Sequence, residues 1–148
     1  MNPILKSLLV FVLLAAAGFA ADTPMVAEWR KKAEAGDAKF QVLMGACYAD
    51  DASSDGVPKD DAEAVKWIRK AADQGDAEAQ FNLGNMYYSG TGVPKDLVQA
   101  HVWWNIAGAK GLEDAKKNLR IVEKEMTDSQ KEKAMDLARE LFAKLPKR

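Results

Sequence analysis

One cysteine and one histidine are all that 148 residues supply. With Cys47 alone, no disulfide can close inside the chain, so stability must come from packing. With His101 alone, paired-histidine metal motifs are excluded, and neither a phosphate-cradling glycine loop nor a strand-to-helix serine elbow occurs. Charge of one sign is also lacking: a formal net charge of -1 offers no field to draw nucleic acid or an anionic membrane surface. Long apolar runs are scarce, and the one from Leu8 to Ala17 is too short to span a bilayer comfortably. It follows a polar start carrying Lys6 and precedes Gly18-Phe19-Ala20, the small-residue pattern of a processing site. Residues 1–20 are therefore expected to be a signal peptide cut after Ala20, sending a mature chain without a stable membrane span to the periplasm or beyond.

What is present is repetition. Gly75-Asp76-Ala77 repeats Gly36-Asp37-Ala38, Gly84 repeats Gly45 and Tyr87 repeats Tyr48, each 39 residues apart. Gly92-Val93-Pro94-Lys95-Asp96 repeats Gly56-Val57-Pro58-Lys59-Asp60, and Trp103 repeats Trp67, each 36 apart, so three extra residues lie between Tyr48 and Gly56. A period in the thirties marks a solenoid whose units bury their apolar faces only against one another. Helices are expected from Pro24, capped by Thr23, to Gly36; from Asp37 to about Asp50; Asp61 to Gln74; Ala77 to Ser89; and Leu97 to Lys110. Leu43, Cys47 and Tyr48 mark the apolar side of the second of these. Ala64, Trp67, Ile68, Ala71 and Ala100, Trp103, Trp104, Ala107 form buried stripes at i, i+3, i+4, i+7. In each Gly-Val-Pro-Lys-Asp loop the glycine permits a positive backbone angle, the proline ends propagation, and the aspartate caps the next helix. A weaker third copy begins at Gly111. Thr127 and Gln130 then announce a capping box, followed by an apolar face of Ala134, Leu137, Ala138, Leu141, Phe142 and Leu145. The organisation is thus an N-terminal capping helix over 21–35, repeats over 36–74 and 75–110, and a degenerate repeat with a closing helix over 111–148.

The segments Ala79 to Tyr87, Gly90 to Asp96, Ala100 to Trp103 and Ala107 to Gly111 carry the pattern Ala-x-x-x-Leu-Gly-x-x-Tyr, Gly-x-Gly-Val-x-x-Asp, Ala-x-x-Trp and Ala-x-x-x-Gly. It resembles the Sel1-like repeat family, relatives of tetratricopeptide repeats. Ala100 to Asn105, followed by Met126-Thr127 and Gln130, is similar to the ends of short exported bacterial members. The resemblance implies an all-α fold, a right-handed α-α solenoid of antiparallel helix pairs, with the first helix of each pair on the concave side. Cysteine-rich relatives linked to penicillin binding or β-lactamase activity carry a disulfide in every repeat, which this chain lacks.

Individual residues read as architecture first. Cys47 takes the position of Met86 in the next repeat and is expected to be buried and inert. Trp67 and Trp103 belong to the core, and His101, in the place of Val65, is expected at the surface or partly packed. Asp51, Ser53, Asp55 and Gly56 match the first half of a calcium loop, but Lys59, Ala62 and Pro58 spoil the second half, so a solvated acidic turn is expected rather than a metal site. No cofactor is expected.

Partner binding is expected on the concave face. Glu78, Phe81, Asn85 and Tyr88 form one stripe of the second repeat, with Lys39, Val42, Ala46 and Ala49 equivalent in the first and Asp114, Lys117, Ile121 and Lys124 in the third. An apolar centre of Val42, Phe81, Tyr88 and Ile121 with charged edges Lys39, Glu78 and Lys117 suits a protein partner. The reading is a non-catalytic adaptor of the bacterial envelope, with regulatory and periplasmic immunity proteins as narrower versions. The alternatives are an envelope enzyme acting on peptidoglycan or β-lactams, and a structural oligomer.

Overall fold

The computed structural model describes residues 23–50 and 56–146. The signal-peptide reading and the acidic-loop residues Asp51, Ser53 and Asp55 lie outside them. Seven helices and no strand are found among the described residues: α1 Pro24–Glu34, α2 Ala38–Ala49, α3 Asp61–Asp73, α4 Ala77–Ser89, α5 Leu97–Ala109, α6 Glu113–Glu125 and α7 Asp128–Lys144. The ends follow from local chemistry. Thr23 accepts from Val26 N–H with Pro24 opening α1, and Asp37, Asp60, Asp76 and Asp96 cap the next four helices through their carboxylates. Leu112 precedes α6 without a side-chain cap, where the third copy has lost the aspartate, while Thr127 and Gln130 form the expected box at α7.

Consecutive helices pack side by side from α1 to α6, and α7 folds back onto α5. Polar locks recur with the repeat. Gln41 Nε2 donates to Ala33 O and Gln80 Nε2 to Ala72 O, both at 3.0 Å, tying each first helix to the end of the helix before it. The Asp60 and Asp96 N–H groups donate to Tyr48 O and Tyr87 O at 2.8 and 2.9 Å, closing each inter-helix loop. Arg30 and Arg69 donate to the Tyr48 and Tyr87 hydroxyls and lie near those rings, so one arginine–tyrosine pair serves each repeat. Because Gln80 is fully buried, Gln80→Ala removes a donor and leaves a void where nothing replaces either. It is expected to lower the unfolding free energy by about 2 kcal/mol, as read by urea denaturation.

Two cores result. Val26, Ala33, Met44, Cys47, Val57 and Trp67 form a smaller one beneath the first repeat, with Trp29 packed against it. The larger gathers α3 to α7 around Trp103, Trp104, Ile106, Leu83 and Val122. Helix α5 is enclosed by α4, α6 and α7, and nine of its thirteen residues are buried. That enclosure corrects the expectation for His101. Its ring is buried, with Nε2 3.2 Å from Glu123 Oε1 on α6. Two apolar assignments also shift. Leu43 is exposed because Met44 takes the core position on α2, and Phe142 lies half exposed on α7, lining a shallow cavity with Asn105 and Ala109 of α5.

Candidate functional site: a concave groove

The first helices of the pairs, α2 and α4, stand beside α6 and leave between them a groove of about 700 Å³. Helix α2 contributes Val42, Gly45, Ala46 and Ala49. Helix α4 runs along the middle with Glu78, Asn82, Asn85, Met86, Tyr88 and Ser89, followed by Thr91, and α6 contributes Asn118 and Ile121. Ile68 and Trp104, from the second helices, form the base.

The two repeat glycines set its depth. A Cβ on Gly45 would lie 2.6 Å from Ile68 Cδ1, and one on Gly84 would lie 2.5 Å from Trp104 Cδ1 and Nε1. Only a residue without Cβ lets the second helix press its large side chain against the backbone of the first. Trp104 Nε1 donates to Asn85 Oδ1 at 3.1 Å and to Phe81 O at 3.2 Å. Asn85 Oδ1 also accepts from Asn118 Nδ2 at 3.2 Å, joining α4 to α6. The tryptophan floor is thereby held by the groove's own amides.

Tyr88 closes the far end. Its hydroxyl donates to Glu125 Oε1 at 2.6 Å, its ring lies 5.4 Å from that of Trp104 at 45°, and Lys95 Nζ sits 5.0 Å from its centroid. The hydrogen bond to the Glu125 carboxylate, then burial, then the carboxylate's charge hold the phenol pKa above its ordinary value. The folded protein therefore binds this proton more tightly than the unfolded chain. The stability that results is complete below the ordinary tyrosine pKa and is lost as pH rises through the folded one. Tyr88→Phe is expected to remove this alkaline loss, so mutant and wild-type melting curves should converge at high pH.

Of the residues expected to bind, the structure brings Val42, Glu78, Asn85, Tyr88 and Ile121 to the groove, together with Ala46 and Ala49. Lys39, Phe81 and Lys117 are not among its lining residues. Phe81 packs half-buried against the larger core, and Lys117 pairs with Asp114 at 2.8 Å. Asn82, Met86, Trp104 and Asn118 were missed. The recurrence of Asn82 as Asn118, 36 residues on, was the available signal.

Comparison with known proteins assigns the repeats. Sel1 repeats match residues 38–76 and 77–112. The chain belongs to the Sel1 repeat family. A protective antigen of uropathogenic Escherichia coli strains that displays an SLR fold shares 36% identity and superposes with a TM-score of 0.75 over 80% of this chain. This Sel1 repeat chain spans 25% of that protein's length. A Sel1 repeat protein from Oxalobacter formigenes shares 39% identity with a TM-score of 0.58, covering 62% of this chain and 67% of the other. A comparison with curated proteins returns no match. The Sel1 assignment and the solenoid neighbours agree with the all-helical repeat architecture expected from the sequence. Sel1 repeats generally mediate protein–protein interaction, and their fold is typically a non-catalytic scaffold.

Proposed function

We propose that this chain is a non-catalytic adaptor of the bacterial envelope that binds a partner protein in its concave groove. The observation that carries the reading is the groove itself, an apolar-walled concavity over Ile68 and Trp104 with the amides of Asn82, Asn85 and Asn118 among its lining, as recognition surfaces require. The apolar segment and processing pattern of residues 1–20 support an exported destination. A regulatory or immunity role would use the same face. An enzyme acting on peptidoglycan or β-lactams would need an activated nucleophile or an acid pair there. Among the described lining residues Glu78 is the single carboxylate, and Ser89 Oγ is engaged with the Asn85 and Met86 carbonyls and Thr91.

The test is affinity capture from the native envelope fraction with the wild-type chain and with Ala46→Trp, which fills the groove from an exposed position. A partner retained by the first and lost from the second supports the adaptor. A partner held equally by both sinks it. A second reading, self-association, rests on Met135 and Phe142, 54% and 51% exposed on α7 beside a cavity of about 330 Å³. A monomeric mass by sedimentation at high concentration would eliminate it.

A further inference from the structure

The residues of α4 that face the groove form a line: Glu78, Asn82, Asn85 and Ser89, spaced 0, 4, 7 and 11. At about 1.5 Å per residue that line is roughly 16 Å long, the span of about five residues of extended chain. Its amides are incompletely used. The Asn82 side chain has no hydrogen-bond partner among the described residues. Asn85 spends its Oδ1 on Trp104 and Asn118 while leaving its Nδ2 unengaged, and Asn118 leaves its Oδ1 unengaged. These groups offer the alternating donors and acceptors that an extended backbone presents. The walls above them are apolar, with Val42, Ala46 and Ala49 on one side and the half-exposed Ile121 on the other.

Charge narrows the occupant further. No lysine, arginine or histidine lines the groove among the described residues, so nothing there receives a terminal carboxylate or an acidic side chain. The nearby cations are otherwise engaged or outside the lining. Lys117 pairs with Asp114, Lys95 lies over the Tyr88 ring, and Lys39, in the matching position on α2, is joined to Glu78 by no ion pair. Glu78 itself has no ion-pair partner among the described residues. Resting on the adaptor reading, we infer that the occupant is an internal, extended segment of the partner, about five residues long, apolar, and carrying a lysine or arginine at the Glu78 end. Its backbone bonds to the Asn82, Asn85 and Asn118 amides, its apolar side chains seat against α2 and Ile121, and its cation meets Glu78.

The test uses three fluorescein-labelled, C-amidated hexapeptide pools of apolar residues containing one lysine, one glutamine or one glutamate, titrated by anisotropy at low ionic strength. Because Glu78 is exposed, the lysine pool is expected to bind about tenfold more tightly than the glutamate pool, the ratio falling toward one at high salt. Glu78→Gln should reduce the ratio to about twofold, and Glu78→Lys should invert it. Asn82→Ala should weaken all three pools alike, by roughly three- to tenfold, with the circular dichroism spectrum unchanged. A free C-terminal carboxylate should add no affinity. Equal binding of the three pools, still abolished by Ala46→Trp, overturns the charge assignment and leaves the adaptor reading standing. Binding that survives Ala46→Trp overturns both. Absence of binding by every pool overturns this inference, while capture from the envelope judges the adaptor separately.

Discussion

Trp104→Ala is expected to lower the unfolding free energy by about 3–5 kcal/mol and to collapse the groove with it. The indole is 2% exposed, so its removal deletes a large buried surface and leaves a void between α4 and α5. The loss is not one of packing alone. Asn85 Oδ1 and Phe81 O both lose their indole donor, and Tyr88 loses the ring at 5.4 Å that it packs against. Trp104→Phe restores most of the volume without the N–H, and Asn118 still donates to Asn85. It is expected to cost about 1–2 kcal/mol, the share belonging to the hydrogen bonds. Urea denaturation followed by far-ultraviolet circular dichroism measures both, since tryptophan fluorescence itself changes. A loss below about 1 kcal/mol for the alanine variant would show that the groove floor is not part of the cooperative core.

Gly92→Ala is expected to be nearly as damaging, although Gly92 lies on an exposed loop. Its φ of 68° is in the left-handed region, where a Cβ costs roughly 1–2 kcal/mol. The added Cβ would also fall 2.1 Å from Asp61 O and 2.9 Å from Val65 Cγ2, so the loop must lift off the start of α3. Together these give about 3–4 kcal/mol. Gly36 is the control. Its φ is 99°, but nothing lies within 4 Å of an added Cβ, so Gly36→Ala should show the backbone cost alone, about 1–2 kcal/mol. Thermal melts of the two variants, run together, separate loop seating from left-handed strain. Equal losses would mean that the loop yields without cost.

Much of the fold was legible because its signals are local or periodic. The aspartate caps, the glycines with positive φ and the Thr127–Gln130 box each depend on a few neighbouring residues, and all stand where the spacing places them. The buried stripes of α3 and α5 follow from a period of 3.6 and hold residue for residue. The errors share one origin, since periodicity identifies a face without saying how many neighbours surround the helix. For α5 there are three, so His101 is buried where a two-sided helix would have exposed it. Helix α7 packs chiefly on α5, so Phe142 stays half exposed despite its apolar register.

The groove shows the same division. Val42 and Phe81 are 39 residues apart, equivalent in sequence and both packed half-buried against the larger core, yet Val42 also lines the groove and Phe81 does not. Helix α2 flanks the concavity, whereas α4 runs through its middle and ties Asn85 and Tyr88 to Asn118 and Glu125 of α6. By itself the sequence determined the repeats, the helix ends and the residues whose smallness or shape the stack requires, because those depend on local chemistry repeated at a constant period. Only the tertiary structure decided which flank of each repeated helix faces the groove. That choice depends on where the neighbouring helices lie, and two helices with matching sequence can have different neighbours.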